Sequence, residues 1–322
     1  MEVSYRDITS AAKRLTGLAV ETPFLESSLL NKMIGVRVLL KAEPLQLTGS
    51  FKFRGAYNAI SVRNNSKKVK GVVAYSSGNH AQGVAAAAAI IGLPATIIMP
   101  EDAPRLKIDN TRAYGAKIIT YNRFAENREE IGQTLAYKRN LTLIKPYDDP
   151  LVIAGQGTVG REIILQSQKL SAQVDSVYVP CGGGGLVAGV GLALAKRSPS
   201  TKVFSVEPKN FDDTRLSLLQ GERVWNKPKG YSICDSLLAE VPGELTFSIN
   251  SKILTGGVFV SDKDTRLAMK NIFQYYKLIA EPGGAVAFAA LMKNKGRHQG
   301  KTVVVVCSGG NVDANLFAEA LS

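Results

Sequence analysis

Cysteine and histidine are scarce in this 322-residue chain, with three copies of the first and two of the second. Cys181, Cys234 and Cys307 lie far apart and form no C-x-x-C pair. That excludes a disulfide framework or a cysteine-built zinc site and suits free thiols in a reducing cytosol. His80 and His298 belong to no cluster with metal-ligand spacing, so zinc catalysis lacks a ligand set. A Ser-His-Asp hydrolase would have to use His80, yet no G-x-S-x-G elbow exists. His298, within Gly296-Arg297-His298-Gln299-Gly300, is expected in an exposed turn. Long apolar runs are missing as well. The longest, residues 84–95, is interrupted by Gly92 and Pro94 and is too short for a membrane span. The opening residues Met1 to Asp7 carry no apolar core or cleavage site, so no secretory signal is expected.

Charge of one sign is not lacking: 40 Lys and Arg against 27 Asp and Glu give a net +13. That excess raises nucleic acid as a partner. The basic residues form no dense block, however, and the best cluster, Lys67-Lys68-Val69-Lys70, looks like a solvated loop. No nucleic-acid motif or aromatic platform accompanies them, so the charge is general surface, mildly favourable to anionic ligands. The hydrophobic content of 45% describes an ordinary globular protein.

The length favours two domains. Short β-branched apolar runs alternate with helical stretches, the pattern of mostly parallel sheets covered on both faces. Strands are expected at residues 36–42, 71–75, 95–99, 117–120, 176–179, 202–206 and 302–307. Helices are expected at 83–91, 103–114, 125–140, 158–169, 186–196 and 262–276. A smaller α/β domain is expected over residues 50–148. A larger one would combine 1–49 with 149–322, the chain returning at Asp148-Asp149-Pro150.

Chemistry concentrates beyond strand ends, where α/β sheets bind ligands. Ser76-Ser77-Gly78-Asn79-His80 combines hydroxyls, an amide and free N–H groups at a helix start, a seat for a carboxylate or phosphate. Simple helix capping is the plainer explanation, but five small or polar residues in a row exceed what a cap needs, which favours a functional seat. Gly182-Gly183-Gly184-Gly185 is costly in backbone entropy unless amides must approach a phosphate; a flexible loop is the alternative. It matches neither G-x-G-x-x-G nor a P-loop. Ser308-Gly309-Gly310-Asn311 could touch a flat ligand closely or be turn chemistry alone. Glu207 and Asp213, with an intervening carbonyl, could bind a hard cation, although acidic loops are usually just solvated. Finally, Lys52 stands between Phe51 and Phe53. Desolvation by the two rings would lower its pKa and make it a carbonyl-trapping amine, while a lysine snorkelling past core rings explains the same residues.

Taken together, Ser50-Phe51-Lys52-Phe53-Arg54-Gly55-Ala56, Ser76-Ser77-Gly78-Asn79-His80, the glycine loop and Ser308-Gly309-Gly310-Asn311 resemble the fold-type II pyridoxal-phosphate enzymes. More narrowly, the chain is similar to the threonine/serine dehydratase and serine racemase group. The similarity extends to Thr22-Pro23, to Val152-Ile153-Ala154-Gly155-Gln156-Gly157-Thr158 and to Glu281-Pro282-Gly283-Gly284. The resemblance implies two three-layer α/β domains of the tryptophan synthase β-like kind. It implies that Lys52 carries pyridoxal 5'-phosphate, that Gly182, Gly183, Gly184, Gly185 and Leu186 hold its phosphate, and that Phe51 lines the cofactor. By the same resemblance Asn79 contacts the ring hydroxyl and Ser308 faces the ring nitrogen. Ser76, Ser77, Asn79 and His80 receive the substrate carboxylate. Ser77 matches the second acid of racemases, and Arg128 matches a racemase substrate-pocket arginine. Glu207, Asp213 and the Phe211 carbonyl match an activating cation site, with Mg²⁺ or Ca²⁺ expected.

The implied reaction is dehydration and deamination of L-threonine or L-serine, with serine racemisation or 3-hydroxyaspartate chemistry as the alternatives. Tyr147, in Pro146-Tyr147-Asp148-Asp149-Pro150, follows the dehydratases; racemases tend to carry Asn there. Ser236, in Cys234-Asp235-Ser236, departs from the family's Ala-Asp-Gly and bears on substrate preference. A cytoplasmic homodimer acting on a small amino acid is implied, with no nucleic-acid or membrane partner. No regulatory domain and no feedback by isoleucine are expected, which points to a catabolic role.

Overall fold

The computed structural model describes residues 3–66, 69–103, 105–122, 124–226 and 230–322, with Leu106 described by its backbone only. Lys67 and Lys68 of the basic cluster lie outside the described residues. The strands are β1 (Phe24–Leu25), β2 (Arg37–Ala42), β3 (Val72–Tyr75), β4 (Ala95–Pro100), β5 (Lys117–Tyr121), β6 (Thr142–Leu143), β7 (Ser176–Pro180), β8 (Lys202–Pro208), β9 (Gly256–Val260) and β10 (Thr302–Cys307). The first helices are α1 (Tyr5–Leu15), α2 (Ser28–Ile34), α3 (Lys52–Ser66), α4 (Asn79–Ile91), α5 (Arg105–Ala113), α6 (Arg128–Arg139) and α7 (Pro150–Lys169). After them come α8 (Gly185–Arg197), α9 (Asp213–Gln220), α10 (Glu244–Ile253), α11 (Asp262–Tyr276), α12 (Pro282–Asn294) and α13 (Ala314–Leu321).

Two sheets result. One has six strands in the order β1-β2-β10-β7-β8-β9, all parallel except β1; the other has four parallel strands, β5-β4-β3-β6. Strand β10 shows why both faces are covered. Val303 and Val305 pack with Phe288, Met269 and Leu30, from α12, α11 and α2. Val304 and Val306 pack with Ile163, Val190 and Ile8, from α7, α8 and α1. Alternate side chains point to opposite faces, so a strand with two greasy faces belongs between two helical layers. The four-stranded sheet repeats the plan. Val72, Ala74, Ile97 and Met99 face the core shared with α3 and α4. Val73, Tyr75 and Ile98 face Ile131 and Leu135 of α6. Both are three-layer α/β arrangements.

Two helices start at caps that hydrophobic periodicity does not reveal. Helix α7 begins at Pro150 and not at 158, because the Asp149 carboxylate accepts from Leu151 N and Val152 N and proline suits the first turn. Helix α6 begins at Arg128 after an Asn127 cap. Among the described residues no helix is long and apolar enough to cross a membrane. His298 overturns its expected exposure. It is buried in a 3-10 turn, where its Nε2 and the Tyr178 hydroxyl stand 2.8 Å apart. The polar neighbours of His298 are exposed, but its ring fills the space above Tyr178, edge to face.

A buried ion cluster ties β2 and its following turn to α3 and α7. Arg54 donates to Glu43 and Glu162, and Lys41 donates to Glu162 at 2.6 Å and to the Thr22 carbonyl at 2.6 Å. Lys41, Glu43 and Arg54 are fully buried, so each charge depends on its partners.

Candidate active site

Lys52 opens α3 immediately beyond an isolated antiparallel bridge between Ser50 and Gly309. Phe51 N donates to the Ser308 carbonyl at 3.2 Å, pinning the lysine to the end of β10. Its Nζ donates to the Pro146 carbonyl at 2.8 Å. Burial lowers its pKa to about 8, against the opposing charge of Glu281. The expected desolvation is therefore present, but the two rings do not share it as the sequence suggested. The Phe51 ring centroid lies 5.2 Å from the amine. Phe53 goes into the core under the four-stranded sheet and packs on Tyr57. Successive helical residues are about 100° apart around the axis, so the two neighbours of Lys52 enter different cores.

The Ser76 to His80 turn joins β3 to α4. Asn79 is buried; its amide donates to Glu281 Oε1 at 2.6 Å and its Oδ1 accepts from Asn311 Nδ2 at 2.8 Å. A β-carbon on Gly309 would lie 2.5 Å from Glu281 Oε1, 3.1 Å from Ser50 Cβ and 3.2 Å from Asn79 Nδ2. That crowding locates the convergence of Lys52's segment, the serine turn and the end of β10. Ser76 and Ser77 are half-buried on this turn, and Ser308 is buried beside it. His80 sits deeper: its Nε2 meets the Ile144 carbonyl at 2.9 Å, and burial together with Lys52 lowers its pKa to about 3, keeping it neutral. Glu281 is buried, and its carboxyl is pushed up to about 7 by that burial and by Asp235.

The glycine loop precedes α8 and is braced from behind. Thr246 Oγ1 donates to the Gly183 carbonyl at 2.7 Å and Asn250 Nδ2 to the Gly184 carbonyl at 3.3 Å. Gly184 adopts φ 93°, the left-handed region, and a side chain on Gly183 would overlap the Tyr147 ring. Tyr147 therefore lies across the loop; burial and then Glu129 raise its pKa. Arg128 stacks over Tyr75, 5.7 Å from the ring centroid. Ser236 lies in the turn Asp235–Leu237, against Gly283.

The cation candidates meet in a different place, at the end of β8. Glu207 accepts from Thr214 N at 2.8 Å and Arg215 N at 2.9 Å. Asp213 Oδ1 accepts from Asn226 at 2.8 Å, while its Oδ2 is buried without a hydrogen-bond partner. Phe211 lies in the connection between them. Among the described residues, no group of three or more His, Cys, Asp or Glu side chains could hold a metal.

Glu281, Thr246, Asn250, the Pro146 carbonyl and Lys107, whose Nζ would stand 3.7 Å from a β-carbon on Gly78, are the site features that residue types alone did not single out. A glutamate before Pro-Gly-Gly was the one available signal, since an acid at a helix N-terminus is favourable. The residues brought together suit a flat, phosphate-bearing aldehyde: a neutral-prone amine, backbone N–H groups at a helix start and a buried hydroxyl. Comparison with known proteins agrees. A family described as "Pyridoxal-phosphate dependent enzyme" matches residues 15–309. An L-threo-3-hydroxyaspartate ammonia-lyase of Saccharomyces cerevisiae is 42% identical, across 99% of this chain and 96% of its own length. A serine racemase of Schizosaccharomyces pombe is 39% identical, across 99% of this chain and 97% of its own length. The crystal structure of a T.th. threonine deaminase superposes with a TM-score of 0.92 at 40% identity, covering 96% of this chain and 99% of that one. With a family match over residues 15–309 and a fold that superposes on a threonine deaminase, the chain belongs to the family of pyridoxal-phosphate-dependent enzymes.

Proposed function

We propose that this enzyme converts small L-β-hydroxy amino acids, L-threonine or L-serine, to a 2-oxo acid and ammonia. The observation that carries this is Lys52, an amine with its pKa lowered to about 8 beside the end of β10. When bound, the cofactor supplies an aldehyde that joins covalently to an amine and a conjugated ring that takes up electron density from the substrate α-carbon. Gly182, Gly183, Gly184, Gly185 and Leu186 would hold its phosphate through N–H groups at the start of α8. Phe51, Asn79 and Ser308 would hold the ring. Ser308 offers a neutral hydrogen bond and no proton, which favours a reaction whose developing charge leaves at once with the β-hydroxyl. Neutral Lys52 removes the α-proton and holds it at Nζ. Ser76, Ser77, Asn79 and His80 orient the substrate carboxylate. Tyr147 across the glycine loop supports elimination over racemisation, for which Ser77 would be the second proton carrier.

A second substrate, 3-hydroxyaspartate, is favoured by the ammonium of Lys107 beside the serine turn, where a β-carbon on Gly78 would stand 3.7 Å away. Residues 50–148 act as the small, mobile substrate-loop domain; 1–49 with 149–322 form the cofactor-binding domain of a cytoplasmic homodimer. The buried, partly unpaired acids Glu207 and Asp213, with the Phe211 carbonyl, suit Mg²⁺ or Ca²⁺. Chelation then lowers Tm and turnover, and either cation restores them. A turnover screen of the three substrates, following 2-oxo acid and D-isomer together, separates lyase from racemase. Lys52→Ala must lose both turnover and the visible absorbance of lysine-bound cofactor; retention of both refutes the proposal.

A further inference from the structure

Lys107 and Asp235 form an ion pair across the mouth of the candidate site. Lys107 belongs to α5, beside the four-stranded sheet, and Asp235 opens the turn Asp235–Leu237 on the other side. One end of the pair touches the expected carboxylate seat, since Lys107 Nζ would stand 3.7 Å from a β-carbon on Gly78. The other end rests on the glycine loop. A β-carbon on Gly182 would stand 3.3 Å from Leu237 Cα and 3.4 Å from the Ser236 carbonyl oxygen. The pair thus roofs the space between the serine turn and the glycine loop.

The two partners are unequal. The Lys107 side chain is only 13% exposed, whereas that of Asp235 is 49% exposed. Both charges reach inward, Asp235 raising and Lys107 lowering the pKa of buried Glu281. Lys107, largely withdrawn from water, needs a counter-ion, whereas the half-exposed Asp235 carboxylate is rehydrated at little cost once another carboxylate takes its place. Lys107 is therefore a carboxylate seat with an exchangeable occupant. Arg128 is engaged elsewhere, over the Tyr75 ring.

We propose that Lys107, checked by Asp235, reads the distal group of the substrate. The pair stays closed over an uncharged side chain. When a β-hydroxy amino acid with a second carboxylate binds, Lys107 exchanges Asp235 for that carboxylate. This deepens, and rests on, the lyase function proposed above. A mere latch between the two halves of the molecule would be broken alike by removing either partner. A carboxylate reader responds with opposite signs.

The test uses holoenzyme carrying Lys107→Met, Lys107→Arg or Asp235→Asn. It compares kcat/KM for L-threo-3-hydroxyaspartate and L-serine, and the Kd of succinate by titration calorimetry. In Lys107→Met the dicarboxylate-to-serine ratio falls and succinate weakens, each by about 10- to 100-fold, the loss of one charge-assisted contact. Lys107→Arg recovers most of this loss. In Asp235→Asn the ratio rises and succinate tightens by about 3- to 10-fold, because the lysine is freed from its competitor. Shifts of the same sign in Lys107→Met and Asp235→Asn, or no shift in either, overturn the proposal. If the wild type turns over none of L-threonine, L-serine and L-threo-3-hydroxyaspartate, the lyase function fails, and the succinate titrations alone decide the role of Lys107.

Discussion

The Lys52 amine should titrate near pH 8, since burial lowers its pKa to about 8 from 10.5. At pH 7 its neutral fraction is then roughly one in ten, against roughly one in three thousand for a solvated lysine, a gain of about 300-fold in nucleophile. Competitive trace labelling measures this directly. Apoprotein is exposed to a small amount of acetic anhydride across a pH series from neutral to strongly alkaline and then digested. The acetylated fraction of each lysine is read by mass spectrometry, with exposed lysines as the reference for reagent reactivity. Shielding by the protein scales the Lys52 rate but leaves its midpoint in place. Two variants fix the cause. Phe51→Ala admits water beside the amine and raises the midpoint, because the ring 5.2 Å away is part of the desolvating wall. Glu281→Gln lowers the midpoint, because the carboxylate is the charge that favours the ammonium. A wild-type midpoint at the ordinary lysine value of 10.5 would mean a hydrated amine and would refute the reasoning.

Three further outcomes are expected. Glu281, buried and with its carboxyl near pKa 7 instead of 4.5, holds its proton longer in the folded than in the unfolded state. Its contribution to stability is therefore present below pH 4.5 and lost as pH rises through 7, by up to about 3 kcal/mol. Urea unfolding of wild type and Glu281→Gln should give a difference that declines across that window, and a flat difference would contradict it. Gly184→Ala puts a side chain at φ 93° with its β-carbon 2.8 Å from Asn250 Nδ2, which should cost about 2–4 kcal/mol by strain and overlap and loosen cofactor retention. An unchanged Tm would show that the loop yields freely. Arg54→Met leaves Glu43 and Glu162 without their shared guanidinium, and one orphaned buried charge costs about 3–5 kcal/mol; guanidinium unfolding measures it, and a loss below about 1 kcal/mol would show that water reaches the cluster.

The sheets and the strand-end loops are legible in the sequence because their signals are local. A valine run such as 303–306 can only be a strand with two covered faces, and four glycines before a helix admit few uses. Pairings between distant segments are not legible. Nothing near Glu281 says that its carboxylate will meet Asn79, which lies 202 residues earlier. Lys107 sits in an ordinary amphipathic helix, and only the folded chain shows that it faces Asp235. The burial of His298 escapes the sequence because the polarity of its neighbours describes the surface they occupy, not the direction of its own ring. Phe51 and Phe53 look alike in the sequence because adjacency along a chain imitates adjacency in space.

The bridge between Ser50 and Gly309 bears on biosynthesis. Lys52 and the serine turn, made early, must wait for β10, the last of the described strands, which inserts between β2 and β7 and is followed by Ser308. Such long-range closure is slow and comes late in folding. A nascent chain still lacking that strand has the lysine but no seat for it. The reactive amine acquires its lowered pKa only once β10 has closed on the Ser50–Gly309 bridge.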